Sequence, residues 1–147
     1  MLVSQANIHT LIPQRPPFIM VDNLLSADET LIETSFYIQP GNVFVENREF
    51  QASGLIEHLA QSGAAGIAYQ YLQSRTGQSG PPVGGEIEGF LASISHLELL
   101  QLPEVDMIIR SSIRPMKQFG RMVLIAGEVW DNEQLLMKCR MKLAGAG

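Results

Sequence analysis

The sequence predicts an α+β fold in which one curled antiparallel sheet is wrapped around a single long helix. Two strand-like segments precede the one long helical segment, and four more follow it. This order excludes an alternating βαβ architecture, which needs a helix between successive strands. The 147 residues are enough for one domain with a sizeable core, and the chain shows no internal repeat and no domain boundary.

The segments before the long helix predict a short helix and two strands. "VSQANIHTLIP" predicts a short helix ended by Pro13, and "PFIMVDNLLSAD" predicts a strand that enters a turn. "ETLIETSFYI" alternates with a period of two, which indicates a strand with one buried face. "QPGN" then places Pro40 and Gly41 at the central positions of a type II turn.

The long helix is predicted over residues 53–74, with Ser53 as its cap. Gly63 and Gly66 in its interior each cost about 1 kcal/mol relative to alanine, so close packing against strands must compensate for them. "RTGQSGPPVGG" predicts a loop after the helix. Strands follow at 86–95, 105–114, 121–130 and 134–143, with turns at "PMKQFG" and "WDNEQ". One sheet around one central helix is the hotdog architecture.

Composition excludes several classes of protein. The net charge of −5 and the absence of a basic stripe argue against a nucleic-acid partner. No apolar run approaches 18 residues, so we expect no membrane span. The first residues lack a basic start followed by an apolar run, so no signal peptide is predicted and the cytoplasm is expected. Cys139 is the single cysteine, which excludes a disulfide within the chain and favours a packing role.

A loose set of basic residues alternates with apolar residues in the last forty positions. One interpretation is the solvated face of a strand pair, and the other is a docking patch for an acidic carrier protein. The set consists of Arg110, Arg114, Lys117, Arg121, Lys138, Arg140 and Lys142.

Two segments resemble the 3-hydroxyacyl-ACP dehydratases of fatty-acid synthesis. "LIPQRPPFIMVDNLL" is similar to the family's opening pattern, Leu-Pro-His-Arg-aromatic-Pro-Phe followed by apolar residues and Val-Asp. "GLIEHLAQSGA" is similar to its central helix, where Glu57, Leu59, Ala60 and Gln61 match the pattern Glu-x-(Leu/Met)-Ala-Gln. The resemblance covers nearly the whole chain. It implies a hotdog fold, an acyl thioester substrate carried by an acyl carrier protein or CoA, and no cofactor.

The sequence departs from the family at the catalytic base. These dehydratases carry Gly-His-Phe-Pro-Gly before the helix, whereas "GNVFVENREFQASG" contains no histidine, and Gln14 replaces a second, noncatalytic histidine. Glu57 is retained and His58 stands beside it. The sequence resembles a divergent branch of dehydratase-like hotdog proteins, of the kind that accompany specialised polyketide or aryl-polyene pathways.

Dehydration of a 3-hydroxyacyl thioester needs a base for the C2 proton, an acid for the leaving hydroxyl and donors for the thioester oxygen. The resemblance implies that Glu57 is the acid, oriented by Gln61 one turn later. Backbone amides at the helix start, with Gly54 and Leu55 as candidates, are expected to bind the thioester oxygen. The resemblance also implies an active-site tunnel at a dimer interface. Successive helix residues point about 100° apart, so two interpretations of His58 remain. It acts on Glu57 of a second chain, or it is a histidine that is hydrogen-bonded in the interface and has no catalytic role.

The remaining candidates are weaker. His9 is predicted on a partly exposed N-terminal helix, and His96 ends a predicted strand. Three scattered histidines without cysteine or aspartate at ligand spacing predict no metal site. Arg15 is expected to pair with a carboxylate such as Asp22.

Three functions stay open from the sequence. The chain is a dehydratase that uses Glu57 and His58, a hotdog thioesterase in which Glu57 activates water, or a non-catalytic subunit that binds acyl chains or completes a heterodimer. A homodimer or higher oligomer is expected, with a related hotdog protein as the alternative partner.

Overall fold

The computed structural model describes residues 1–74 and 89–145, so the loop predicted at 75–85 and the start of the strand predicted from 86 lie outside the described residues. These residues form a six-stranded antiparallel sheet, a separate two-stranded hairpin and one long helix. The predicted fold class is confirmed, because the helix packs on one face of the sheet.

The elements follow the chain as one short 3₁₀ helix, four strands, the long helix and four more strands. Their bounds are Ile8–Thr10 for the 3₁₀ helix, then β1 (Asn23–Ala27), β2 (Ile32–Tyr37), β3 (Val45–Glu46), β4 (Glu49–Phe50), α1 (Ala52–Ser74), β5 (Gly89–Leu99), β6 (Ile108–Phe119), β7 (Met122–Asp131) and β8 (Gln134–Gly145). The strands of the large sheet lie in the order β1-β2-β6-β7-β8-β5, which leaves β1 and β5 at its edges.

The small residues of α1 are explained by the close approach of the sheet. A Cβ atom on Gly66 would lie 2.5 Å from Ile32 Cγ2, and one on Gly63 would lie 2.9 Å from Leu143 Cδ1. Both distances are shorter than van der Waals contact, so only glycine fits without a shift of the strand side chains. The compensation expected for glycine in a helix is therefore provided by packing.

Four local predictions before and at the start of α1 are wrong. The N-terminal helix is one 3₁₀ turn, and Val3 forms an antiparallel bridge with Leu24 instead. The strand predicted from residue 17 begins only at Asn23. Gly41 lacks the positive φ that a type II turn requires, although Asn42 N–H donates to Gln39 O as in a turn. Ser53 lies inside α1, which begins at Ala52, so it is not a cap.

The hairpins differ from prediction where the backbone is left-handed. "PMKQFG" is not a turn, because β6 continues through a bulge at Met116, and the chain reverses at Gly120, whose φ is 59°. The turn at "WDNEQ" is confirmed by the pairing of Asp131 with Gln134. The small hairpin of β3 and β4 was not predicted. Asn47 and Arg48 form its turn with φ of 52° and 62°, the signature of a type I′ turn without its usual glycine.

α1 is the one long helix of the described residues, and none of their helices is long and apolar enough to cross a membrane.

Candidate functional site

The segment from Phe18 to Met20, which we call the strap, packs on α1 without regular secondary structure. Met20 N–H donates to Gln61 Oε1 at 2.7 Å, and Met20 O accepts from His58 Nδ1 at 2.7 Å. His58 and Gln61 are three residues apart and therefore share one face of the helix. Two helix side chains thus satisfy both backbone groups of Met20, as a neighbouring strand would.

His58 is a neutral, fully buried histidine. A carbonyl oxygen can only accept a hydrogen bond, so Nδ1 carries the proton and Nε2 does not. Nε2 is buried without a hydrogen-bond partner, and the ring stacks on Phe36 with 5.8 Å between centroids. Burial lowers the pKa of His58 from 6.5 to about 4, although the bond to Met20 acts in the opposite direction.

In the single folded chain, His58 lies away from the surface where the predicted contact with Glu57 of a second chain would form. The side chain of His58 has no exposed surface, so nothing outside this chain reaches it. Its hydrogen bond and its stacking are both internal. His58 is therefore a positioning residue, which holds the strap on α1.

Glu57 is the half-buried carboxylate beside the strap. Its Oε2 accepts a hydrogen bond from Gln61 Nε2 at 2.6 Å, which confirms the predicted contact one turn along the helix. Gln61 Nε2 also donates to Phe18 O at 2.8 Å, and Gln61 itself is buried. The side-chain amide of Gln61 therefore orients the Glu57 carboxylate, and its bond to the strap holds that amide in place.

The helix start offers different amides from those predicted. Gly54 N–H and Leu55 N–H both donate to Gln51 O, at 2.9 and 3.1 Å, so neither is free for a substrate. Gly54 is also enclosed, since a Cβ there would lie 2.6 Å from the Phe50 ring. Within residues 1–74 and 89–145, the amides of Ala52 and Ser53 have no acceptor. These two carry the unsatisfied donors expected at a helix N-terminus.

A cleft of about 590 Å³ lies between the N-terminal segment and β2. Phe36, which stacks on His58, and Asp22 belong to its lining, together with His9, Arg15 and the Pro16–Pro17 pair. Glu57 does not line this cleft.

Arg15 and Asp22 do not form the predicted pair. Arg15 Nη1 donates to three backbone carbonyls, those of His9, Ile12 and Gln14, and so fastens the N-terminal turn. Asp22 Oδ2 accepts from Tyr37 N–H at 2.8 Å, and burial raises the pKa of the Asp22 carboxyl above its usual value. The arginine was misassigned because the backbone carbonyls of a turn leave no trace in the sequence.

The other candidate residues lie apart from Glu57. His9 and His96 are exposed, and His96 sits in a bulge of β5 with φ of 54°. Cys139 is buried, as its predicted packing role requires, and burial raises the pKa of its thiol to about 11. In the part of the chain that the structure describes, no three His, Cys, Asp or Glu residues are grouped as a metal site.

Comparison with known proteins agrees with the resemblance to dehydratases and with the hotdog topology. The family profile described as ApeP dehydratase, of the ApeP-like family, matches residues 6–144. The chain belongs to the ApeP-like family. This membership confirms the resemblance to dehydratases on which the interpretation of Glu57 depends. A comparison with curated proteins gives no significant match.

Solved structures show the same fold at low identity. The dehydratase heterocomplex ApeI:P from Xenorhabdus doucetiae is similar with a TM-score of 0.80 and 10% identity, over 95% of this chain and 91% of that chain. The PaaI protein of the phenylacetic acid degradation operon of E. coli is similar with a TM-score of 0.61 and 10% identity, over 83% and 81%. A hypothetical thioesterase with coenzyme A from Streptococcus pneumoniae gives 0.61 and 10%, over 85% of both chains.

Proposed function

We propose that this chain supplies the catalytic acid of a dehydratase that converts 3-hydroxyacyl thioesters into trans-2-enoyl thioesters, in an active site shared with a second hotdog chain. The observation that carries the proposal is the orientation and exposure of the Glu57 side chain in a member of a dehydratase family. Its carboxylate is oriented by Gln61 and still partly open to solvent. An acid that acts on a bound substrate needs both properties.

In the proposed reaction, a base removes the C2 proton and the electrons of that bond form the C2–C3 double bond. The C3–O bond breaks, and the Glu57 carboxyl gives its proton to the leaving hydroxyl, which departs as water. The amides of Ala52 and Ser53 are the proposed donors to the thioester oxygen, in place of Gly54 and Leu55. Ser53 lies one turn before Glu57, and helix side chains lean toward the N-terminus, so the donor and the acid share one face.

The base is proposed to come from the second chain. Residues 42–53 contain no histidine, and Nε2 of His58 is enclosed in the core. The heterocomplex ApeI:P shows that a protein of this fold occurs together with a different chain. Edge strand β5 is the proposed contact, since no other described strand pairs with its outer edge and Leu97 and Leu99 are exposed on it.

The substrate is proposed to reach this cytoplasmic site on an acyl carrier protein or on CoA. The test follows the reverse reaction, hydration of a trans-2-enoyl thioester, by the loss of its conjugated absorbance. The chain is assayed alone and mixed with a related hotdog chain that carries the Gly-His-Phe-Pro-Gly segment. Glu57→Gln is compared with Glu29→Gln, a matched change at an exposed carboxylate in the β1–β2 turn.

The mixture should be active and the chain alone should not. Glu57→Gln should lower kcat by about 10² to 10⁴, the usual contribution of a positioned acid, whereas Glu29→Gln should leave it unchanged. Full activity of the Glu57→Gln mixture would overturn the assignment of the acid. Activity of the chain alone would overturn the shared site, and release of free thiol in place of hydration would identify a thioesterase.

A further inference from the structure

Four cations lie together on the outer face of the sheet, the side away from α1. Arg114 and Lys117 belong to β6, and Arg140 and Lys142 belong to β8; we call these four the basic cluster. All four side chains are exposed. Their neighbours at inward positions, such as Met141, are buried against α1, so the cations point outward by the alternation of a strand.

The sheet register places the cluster in two parallel rows. Arg114 and Arg140 both pair with Ala126, and Lys117 and Lys142 both pair with Leu124, on the strand between them. Two strand spacings separate the members of a row by about 10 Å, and the two rows are about 7 Å apart. The centre of the cluster is formed by the short or apolar side chains of β7, so a partner can approach the strand closely.

No ion pair involves a cation of the cluster among the residues that the structure describes. The one ion pair among the described residues joins Lys138 to Glu98 at 3.3 Å and involves none of the four. Glu33 and Glu128 lie on the adjacent row of the same face, where both pair with Ser112. Their carboxylates accept hydrogen bonds from the Ser26 hydroxyl and the Trp130 indole, and neither forms an ion pair with the cluster. Lys117 lies over the Phe119 ring at 4.8 Å, a contact that leaves its charge in place. Within the described residues, a chain of net charge −5 therefore keeps four positive charges without an ion pair on one small area.

We propose that the basic cluster docks a negatively charged helix of a partner protein, and that this partner is the acyl carrier protein. On a helix, acidic residues four and seven positions apart are separated by about 6 and 10 Å along the axis, which matches the two spacings of the cluster. A second copy of this chain would oppose like charges across the same face. The choice of the carrier rests on the proposed function, whereas the geometry of the cluster does not.

The test measures the Kd of a fluorescently labelled apo-acyl carrier protein, which lacks the prosthetic arm and so cannot occupy the site at Glu57. Arg140→Gln and the double variant Arg114→Gln/Arg140→Gln are compared with Arg48→Gln, a matched change in the exposed β3–β4 turn. Each variant is also assayed with a CoA-bound substrate and the partner chain. That assay reads the proposed function without the carrier.

Arg140→Gln should weaken binding about 3- to 5-fold and the double variant about 10-fold or more, since each exposed ion pair contributes up to about 1 kcal/mol. The affinity of the wild type should fall steeply as the salt concentration rises. Arg48→Gln and Glu57→Gln should bind as the wild type, and activity with the CoA substrate should not change in the arginine variants. Equal binding by all variants would overturn the proposal, as would no binding by the wild type. Equally tight binding of a single-stranded oligonucleotide of the same charge would also overturn it, because the cluster would then recognise any polyanion.

Discussion

Replacing His58 by phenylalanine should remove a specific part of the pH dependence of folding. The pKa of His58 is about 4 in the folded chain and near 6.5 when it is unfolded. The unfolded chain therefore binds a proton first as the pH falls, and the folded state loses stability between pH 6.5 and about 4. At about 1.4 kcal/mol per pKa unit, the loss amounts to about 2 to 3 kcal/mol by pH 4.5.

The substitution itself also has an effect at neutral pH. Phenylalanine keeps a ring of similar shape against Phe36, but it leaves the buried Met20 carbonyl without a donor. We expect the variant to be less stable than the wild type by about 1 to 3 kcal/mol at pH 7.5. Because the variant does not titrate at this position, that difference should shrink by about 2 to 3 kcal/mol on going to pH 4.5.

The measurement is urea unfolding of both proteins at one fixed concentration, followed by the fluorescence of Trp130, the single tryptophan. His9→Gln, at an exposed histidine, serves as the control and should keep the pH dependence of the wild type. If the free energies of unfolding of the wild type and His58→Phe run parallel from pH 7.5 to 4.5, His58 is not a buried neutral histidine and its assignment as a positioning residue fails.

Two further predictions concern packing. Gly66→Ala should lower the free energy of unfolding by about 1 to 3 kcal/mol, because its Cβ would lie 2.5 Å from Ile32. The control Gly41→Ala has no atom near its Cβ and should change the free energy of unfolding by less than about 0.5 kcal/mol. Equal urea midpoints of the two variants would contradict this. Cys139 should react with a thiol reagent at pH 8 only as fast as the chain opens, because its thiol is buried and its pKa is raised to about 11; rapid labelling without urea would show that the strand pair around it is open.

The sequence predicted the large elements better than the contacts between them. The period of two in β2 and the small residues of α1 are local patterns, and both indicated correctly which side chains are buried. The β3–β4 hairpin was missed because Asn47 and Arg48 adopt a left-handed turn that usually requires glycine. The continuation of β6 past Pro115 was missed because a bulge accommodates the proline at that position.

The site, like the fold, was predicted only where a local sequence pattern determines the contact. The bond between Glu57 and Gln61 follows from helix spacing, so the sequence contained it. The burial of His58 depends on Met20, which is 38 residues away in the chain. No helix pattern indicates which segment will cross the helix, and the apparent pair of an acid and a neighbouring imidazole therefore suggested chemistry where the structure shows packing.

The hydrogen bonds of His58 and Gln61 to Met20 also couple the motions of the strap to those of α1. An irregular segment without strand partners normally opens by local fluctuations, and its amides exchange with solvent quickly. The amide of Met20 is instead bonded to a buried side chain of the central helix. Its release requires that the helix and the strap separate, so we expect this amide to exchange more slowly than those of a loop without such a bond. The orientation of the Glu57 carboxylate depends on the same glutamine, so it is coupled to the contact between the strap and α1.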